Sequence, residues 1–99
     1  MTAELVLTPE AEADISDAFL WYEACRKGLG EEFVEQAQTC MLGICRMPEM
    51  YSVELQDARR ALIHRFPYSI FYRYADGTVM IQAVFHNARD PRKWQARLT

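Results

Sequence analysis

The side chains with the most chemical capacity sit in the second half of the chain. The stretch AVFHNARDPRKW, residues 83–94, ends an apolar run in His86 and follows it with Arg89, Arg92 and Lys93. A histidine titrates near neutrality and can act as a general acid or base. Arginines offer forked donors for phosphate or carboxylate. Arg60 and Arg73 lie in two earlier strand-like runs, and Arg97 follows close behind the histidine segment. The strand register expected below sets Arg60 opposite Arg73. Such a pair is unfavourable unless an anion lies between, or unless Glu54 or Asp57 neutralises it. His86 falls six residues past the expected partner of Arg73, about 20 Å along the strand, with no carboxylate beside it. One compact centre using both is not expected.

Other chemistries are not written in the chain. It carries no glycine-rich phosphate loop, no Ser/His/Asp array and no paired carboxylates at a plausible cleft. Cys25, Cys40 and Cys45 are odd in number and lack ligand spacing. They are expected to be reduced, mostly buried side chains, and no metal or cofactor is expected. No apolar stretch approaches a membrane span, and the N-terminus lacks a signal-peptide pattern, so the expected location is the cytoplasm.

The 99 residues suit one domain, 1–99, with a single core. The net charge of −3 hides a division. Residues 1–57 hold twelve acidic and three basic side chains, whereas residues 58–99 hold eight basic and two acidic ones. Either the halves neutralise each other in the fold, or the second presents a basic face to an anionic partner.

The elements that must position these groups follow from periodicity. Residues 3–7 read as a strand. Thr8-Pro9 opens a helix whose stripe is Ala11, Ile15, Ala18, Phe19 and Tyr22, with Gly28 as its left-handed cap. Leu20, Trp21 and Ala24 fall off that stripe; they widen the core or form a patch for a partner helix. A second helix begins near Gly30-Glu31, buries Phe33, Ala37, Cys40, Met41 and Ile44, and stops before Pro48. Residues 46–57 read as a polar connection. Three strand-like runs follow at 58–66, 68–74 and 78–86. Asp76-Gly77 is a two-residue hairpin turn, and Phe66-Pro67 reads as another. That register places Ala61, Ile63, Tyr68, Ile70, Tyr72, Val79, Ile81, Ala83 and Phe85 on a core face. It places Arg60, Leu62, His64, Ser69, Phe71, Arg73, Gln82, Val84 and His86 on a mixed, basic face. Asp90 and Pro91 cap a closing helix that docks Trp94 and Leu98. The fold class is α+β: an N-terminal strand and helical hairpin packed on a small, mostly antiparallel sheet, β-α-α-β-β-β, with a short C-terminal helix.

Four stretches carry a family resemblance: LTPEAEADISDAFLWYE, GLGEEF, RRALIHRFPYSIFYR and VFHNARDPRKW. Together they span most of the chain and resemble the RelE/ParE superfamily of toxins from type II toxin–antitoxin pairs. The resemblance implies neutralisation by a cognate, ParD-like antitoxin. It also implies one of two targets. ParE-like members inhibit DNA gyrase and block replication. RelE-like members cleave messenger RNA on the ribosome without a metal. The lysines common on the nuclease sheet are missing here, which favours the gyrase-directed, non-enzymatic branch. Under the ribonuclease alternative the candidate residues are Arg60, Arg73, His86 and Arg89. The candidate partner-binding residues are Leu20, Trp21, Arg60, Arg73, Arg92 and Arg97. A non-toxic relative that still binds antitoxin is the second alternative.

Overall fold

A computed structural model describes residues 2–99. Strand β1 (Glu4–Leu7) leads into helices α1 (Pro9–Cys25) and α2 (Leu29–Arg46). Strands β2 (Ser52–Leu55), β3 (Ala58–Leu62), β4 (Tyr68–Ala75) and β5 (Thr78–His86) follow, and α3 (Pro91–Leu98) closes the chain. The five strands form one sheet in the order β1-β5-β4-β3-β2. Among the described residues only the β1–β5 pair is parallel.

The helix starts follow from their caps. The Thr8 hydroxyl accepts the Ala11 N–H at 3.1 Å, and Pro9 fills the first helical position. Asp90 accepts the Arg92 N–H at 3.0 Å ahead of Pro91. Between the long helices the expected cap is redistributed. Helix α1 ends at Cys25 with Arg26 extended, and left-handed Gly28 opens α2 instead of closing α1. Glu23 reaches across and accepts the N–H groups of Gly28 and Gly30, both at 2.9 Å. These are orphan donors of the α2 N-terminus. The helices then approach so closely that a Cβ on Gly30 would lie 2.6 Å from the Phe19 carbonyl oxygen.

One face of the sheet packs on the helical hairpin. Ala11, Ala18, Phe33, Ala37, Met41 and Ile44 meet Ala61, Ile70, Tyr72, Val79, Ile81 and Val84 in one cluster. Burying each of its larger aliphatic and aromatic side chains contributes about 1.5–3 kcal/mol relative to exposure. Tyr22, Phe33, Phe66 and Tyr68 form an aromatic group at one end, with centroids 4.9–6.0 Å apart. The opposite face carries a second cluster of Ala58, Phe71, Ala83, Phe85, Trp94 and Leu98. Trp94 of α3 stacks on Phe71 at 4.6 Å.

Three expectations need correction. The connection at 46–57 contains an edge strand, β2, held by an irregular pairing with β3. Its residues are exposed or half-buried, so no burial alternation marks it. The β3–β4 link is a five-residue loop, 63–67, with Arg65 at φ 73°, and not a Phe66-Pro67 turn. Proline lacks the N–H that a tight hairpin needs, and the loop closes through Ile63 N–H to the Tyr68 carbonyl, 2.9 Å. The pairing therefore slides by two residues, so Arg60 faces Phe71 and Leu62 faces Ser69. Finally, the Asp76-Gly77 turn forms as expected, with φ 52° and 75° and Ala75 opposite Thr78, but a bulge interrupts the strands beyond it.

Candidate functional site at the exit of strand β5

The bulge falls at Gln82. Tyr72 pairs with Ile81, yet Phe71 pairs with Ala83, so one residue of β5 is left over. Because side chains alternate, every later residue of β5 turns to the other face. Ala83 and Phe85 leave the expected core face and join Trp94 and Leu98. Val84 joins the helical-hairpin core. His86 follows it and stands beside Tyr68, ring centroids 5.1 Å apart.

The result is a cleft of about 210 Å³ between α1 and the end of β5. One wall is Asp14, Asp17, Ala18 and Trp21 of α1; the other is Tyr68, Val84, His86 and Arg89. Carboxylates therefore stand near His86, contrary to the expected register. His86 Nδ1 accepts the Ala88 N–H at 3.0 Å, which leaves Nε2 to carry the proton of the neutral ring. Burial raises the Tyr68 hydroxyl above the ordinary phenol value; Asp14 and Asp17 add to the rise and Arg89 opposes it. Trp21 at the rim is 66% exposed and neighbouring Leu20 63%. Both lie off the core stripe, so they form a surface patch and do not widen the core.

The remaining candidate cations are divided. Arg73 does not oppose Arg60; it sits across from Met80. Its guanidinium binds Asp57 Oδ1 (2.5 Å), Gln82 Oε1 (2.6 Å), Gln56 Oε1 (3.2 Å) and the Leu98 carbonyl (3.0 Å). Neutralisation by Asp57 is thus the outcome for this residue. Arg97 reaches from α3 to Asp14, 2.9 Å, and to the carbonyl of Gln82, 3.2 Å. Arg92 pairs with its own cap residue, Asp90. Arg60 lies on the α3 side, its Nε donating to Ser69 Oγ at 2.8 Å and its Nη2 to Asn87 Oδ1 at 3.3 Å. The Ser69 hydroxyl donates to the same Asn87 oxygen at 2.5 Å. Among the described residues Arg60 and Arg89 form no salt bridge.

Four residues that organise this end escape sequence reasoning. Asp14 accepts the Val84 N–H at 3.0 Å, sealing the strand edge that β1 leaves open beyond Ile81. Ser69 and Asn87 hold Arg60, and Gln82 ties the bulge to Arg73. The one visible hint is the polar Gln82 inside the apolar run TVMIQAVFH. Among the described residues no three His, Cys, Asp or Glu side chains gather as metal ligands. Burial pushes the Cys40 thiol up to about 11, so it is inert as a thiolate at neutral pH. No described helix is long and apolar enough to cross a membrane.

The family model described as the ParE toxin of the type II toxin–antitoxin system parDE matches residues 5–91. No curated protein matches the chain. Among solved structures, a chain of the chromosomal ParDE system from P. aeruginosa superposes with a TM-score of 0.77 at 16% identity. That match covers 86% of this chain and 96% of the other. A free double-arginine variant of E. coli toxin RelE gives 0.73 at 16% identity over 99% and 96% of the two chains. The toxin–antitoxin complex RelBE2 from Mycobacterium tuberculosis gives 0.59 at 23% identity over 87% and 99%. At these identities the structures establish the shared fold.

Proposed function

Because the chain belongs to the ParE toxin family of type II toxin–antitoxin systems, we propose that it inhibits DNA gyrase by binding and is neutralised by a cognate, ParD-like antitoxin. The observation that carries the gyrase reading is the division of the candidate cations. Arg60 and Arg73 lie on the α3 side of the sheet, whereas His86 lies on the helical-hairpin side. Arg73 and Arg97 are committed to internal partners. A scissile phosphate needs its cations and its acid/base group around one point. A binding protein needs only an exposed, fixed surface, which Leu20, Trp21, Arg89 and Arg92 supply. The exposed arginines also suit an acidic antitoxin segment.

A second reading, ribosome-dependent cleavage of messenger RNA, draws support from one feature. The bulge brings His86, Tyr68 and Arg89 into a single cleft, closer than the unbulged register allows. Inducing the toxin alone separates the readings. The gyrase reading expects DNA synthesis to stop before translation, with growth restored by the antitoxin from the neighbouring reading frame. Translation stopping first, with His86→Ala abolishing toxicity in a folded protein, would establish the ribonuclease. Unimpaired growth would establish a non-toxic relative.

A further inference from the structure

The half-buried His86 ring lines the cleft and also fastens the turn by which the chain leaves β5. Its Nδ1 lone pair accepts the Ala88 N–H at 3.0 Å. On either side the backbone is held as well: the Asn87 N–H donates to the Pro67 carbonyl at 2.8 Å, and the Arg89 N–H to the His86 carbonyl at 3.1 Å. Arg89 then lies over the Phe85 ring, 4.3 Å from its centroid. A ring nitrogen differs from a carbonyl acceptor in one respect: a proton abolishes it. In the imidazolium both nitrogens are donors, so Nδ1 cannot accept the Ala88 N–H. Two N–H groups would point at each other, and the ring must turn away.

The groups facing the ring decide where it turns. Helix α1 offers Asp14 and Asp17, strand β4 offers Tyr68, and the exit turn offers Arg89. Helix α3 enters through Arg97, which pairs with Asp14 at 2.9 Å and so occupies that carboxylate. Asp17 and Arg89 join no salt bridge among the described residues. Burial holds the Tyr68 hydroxyl above the ordinary phenol value, so it stays neutral wherever histidines titrate. Asp17 is thus the free countercharge across the cleft, and Arg89 the like charge on the ring's own wall. We propose that His86 is a proton-operated latch on the exit turn. Neutral, it ties down Ala88 and keeps Arg89 stacked on Phe85. A proton from solvent adds to Nδ1 while Nε2 keeps its own. The Ala88 bond then breaks, the cationic ring swings toward Asp17, and repulsion from His86 loosens the Arg89 stack. Both consequences fall on Arg89, so acid presents a freer, more cationic rim. A partner that reads this rim is gripped differently on the two sides of the transition, a consequence that rests on the binding role proposed above; the latch itself does not.

The test is NMR of the purified chain, titrated from about pH 8 to about pH 5.5, the span in which a histidine changes charge. The His86 ring nitrogen shifts report the proton on Nδ1. Exchange of the Ala88 amide, corrected for its intrinsic pH dependence, reports the bond. His64, the other histidine of the chain, is exposed in the β3–β4 loop and serves as the internal reference. Protection of Ala88 should fall roughly tenfold in step with protonation of Nδ1. Asp17→Asn removes the countercharge and should move the transition to lower pH; Arg89→Gln removes the like charge and should move it to higher pH. His86→Phe should leave Ala88 unprotected at every pH. Asp17 and Arg89 are both exposed, so their variants stay informative if His86→Phe misfolds. An Ala88 amide that is unprotected at neutral pH, one that stays protected while Nδ1 is protonated, or a transition that neither charge variant moves would overturn the latch. These readouts need no partner, so failure of the binding role is a separate result.

Discussion

The two faces of the sheet are covered by unequal partners. The hairpin face is roofed by seventeen- and eighteen-residue helices and an aromatic group around Phe33. The other face has only α3, eight residues long, and relies on Trp94, Leu98 and a set of arginines. Arg73 grips the Leu98 carbonyl and Arg97 grips Asp14, so these cations act as tethers for a small lid. Where the cover is large, the rim is free to carry His86, Arg89 and Trp21 unpaired by ions. Basic residues in the second half of the chain thus divide by what lies within reach of them, and composition alone does not sort them.

The largest expected effect separates the two covers. Phe33→Ala opens the main core and should cost about 3–5 kcal/mol in urea unfolding. Trp94→Ala removes a larger ring system but should cost less, because α3 can release locally while the sheet persists. Hydrogen exchange should show α3 amides opening first in that variant. Equal losses with global opening in both would break the distinction.

Next comes the clasp between the faces. The Asp14 and Arg97 side chains are 11% and 27% exposed. Asp14→Asn weakens the hold on Arg97 and on the Val84 N–H together. A loss of about 1–3 kcal/mol is expected, the range for a buried polar group deprived of its partner. A loss near zero would show that water satisfies both groups.

The alternation of TVMIQAVFH and the Asp76-Gly77 turn made the β4–β5 hairpin legible, including Arg73 opposite Met80. Helical spacing and the Thr8-Pro9 and Asp90-Pro91 caps made all three helices legible. The unread parts share a cause: they are set by contacts distant in sequence. The Gln82 bulge is stabilised by Thr8 and Arg97 on its carbonyl and Arg73 on its side chain, none of them neighbours in the chain. The β3–β4 slide preserves the face of each side chain, so alternation could not reveal it, yet it removed the Arg60–Arg73 pair. The bulge does change faces, and with it went the location of His86.

The smallest expected effect tests the tether at Arg73. Its hydrogen bond holds the Asp57 carboxyl below the usual range. A carboxyl with a lowered folded-state pKa adds stability above its unfolded value, and that part is lost as pH falls through the folded one. Wild type and Asp57→Asn should therefore differ modestly above about pH 4 and converge at more acid pH. Urea midpoints against pH measure this. A difference that persists unchanged in acid would mean that Asp57 acts through packing and not through charge.

The functional claim is tested most directly by adding the purified chain to gyrase, relaxed plasmid and ATP and measuring supercoiling. Supercoiling should fall as the protein is titrated in, and the antitoxin should restore it, while ribosome-bound message stays intact. Undisturbed supercoiling at large excess, together with cutting of ribosome-bound message, would contradict it.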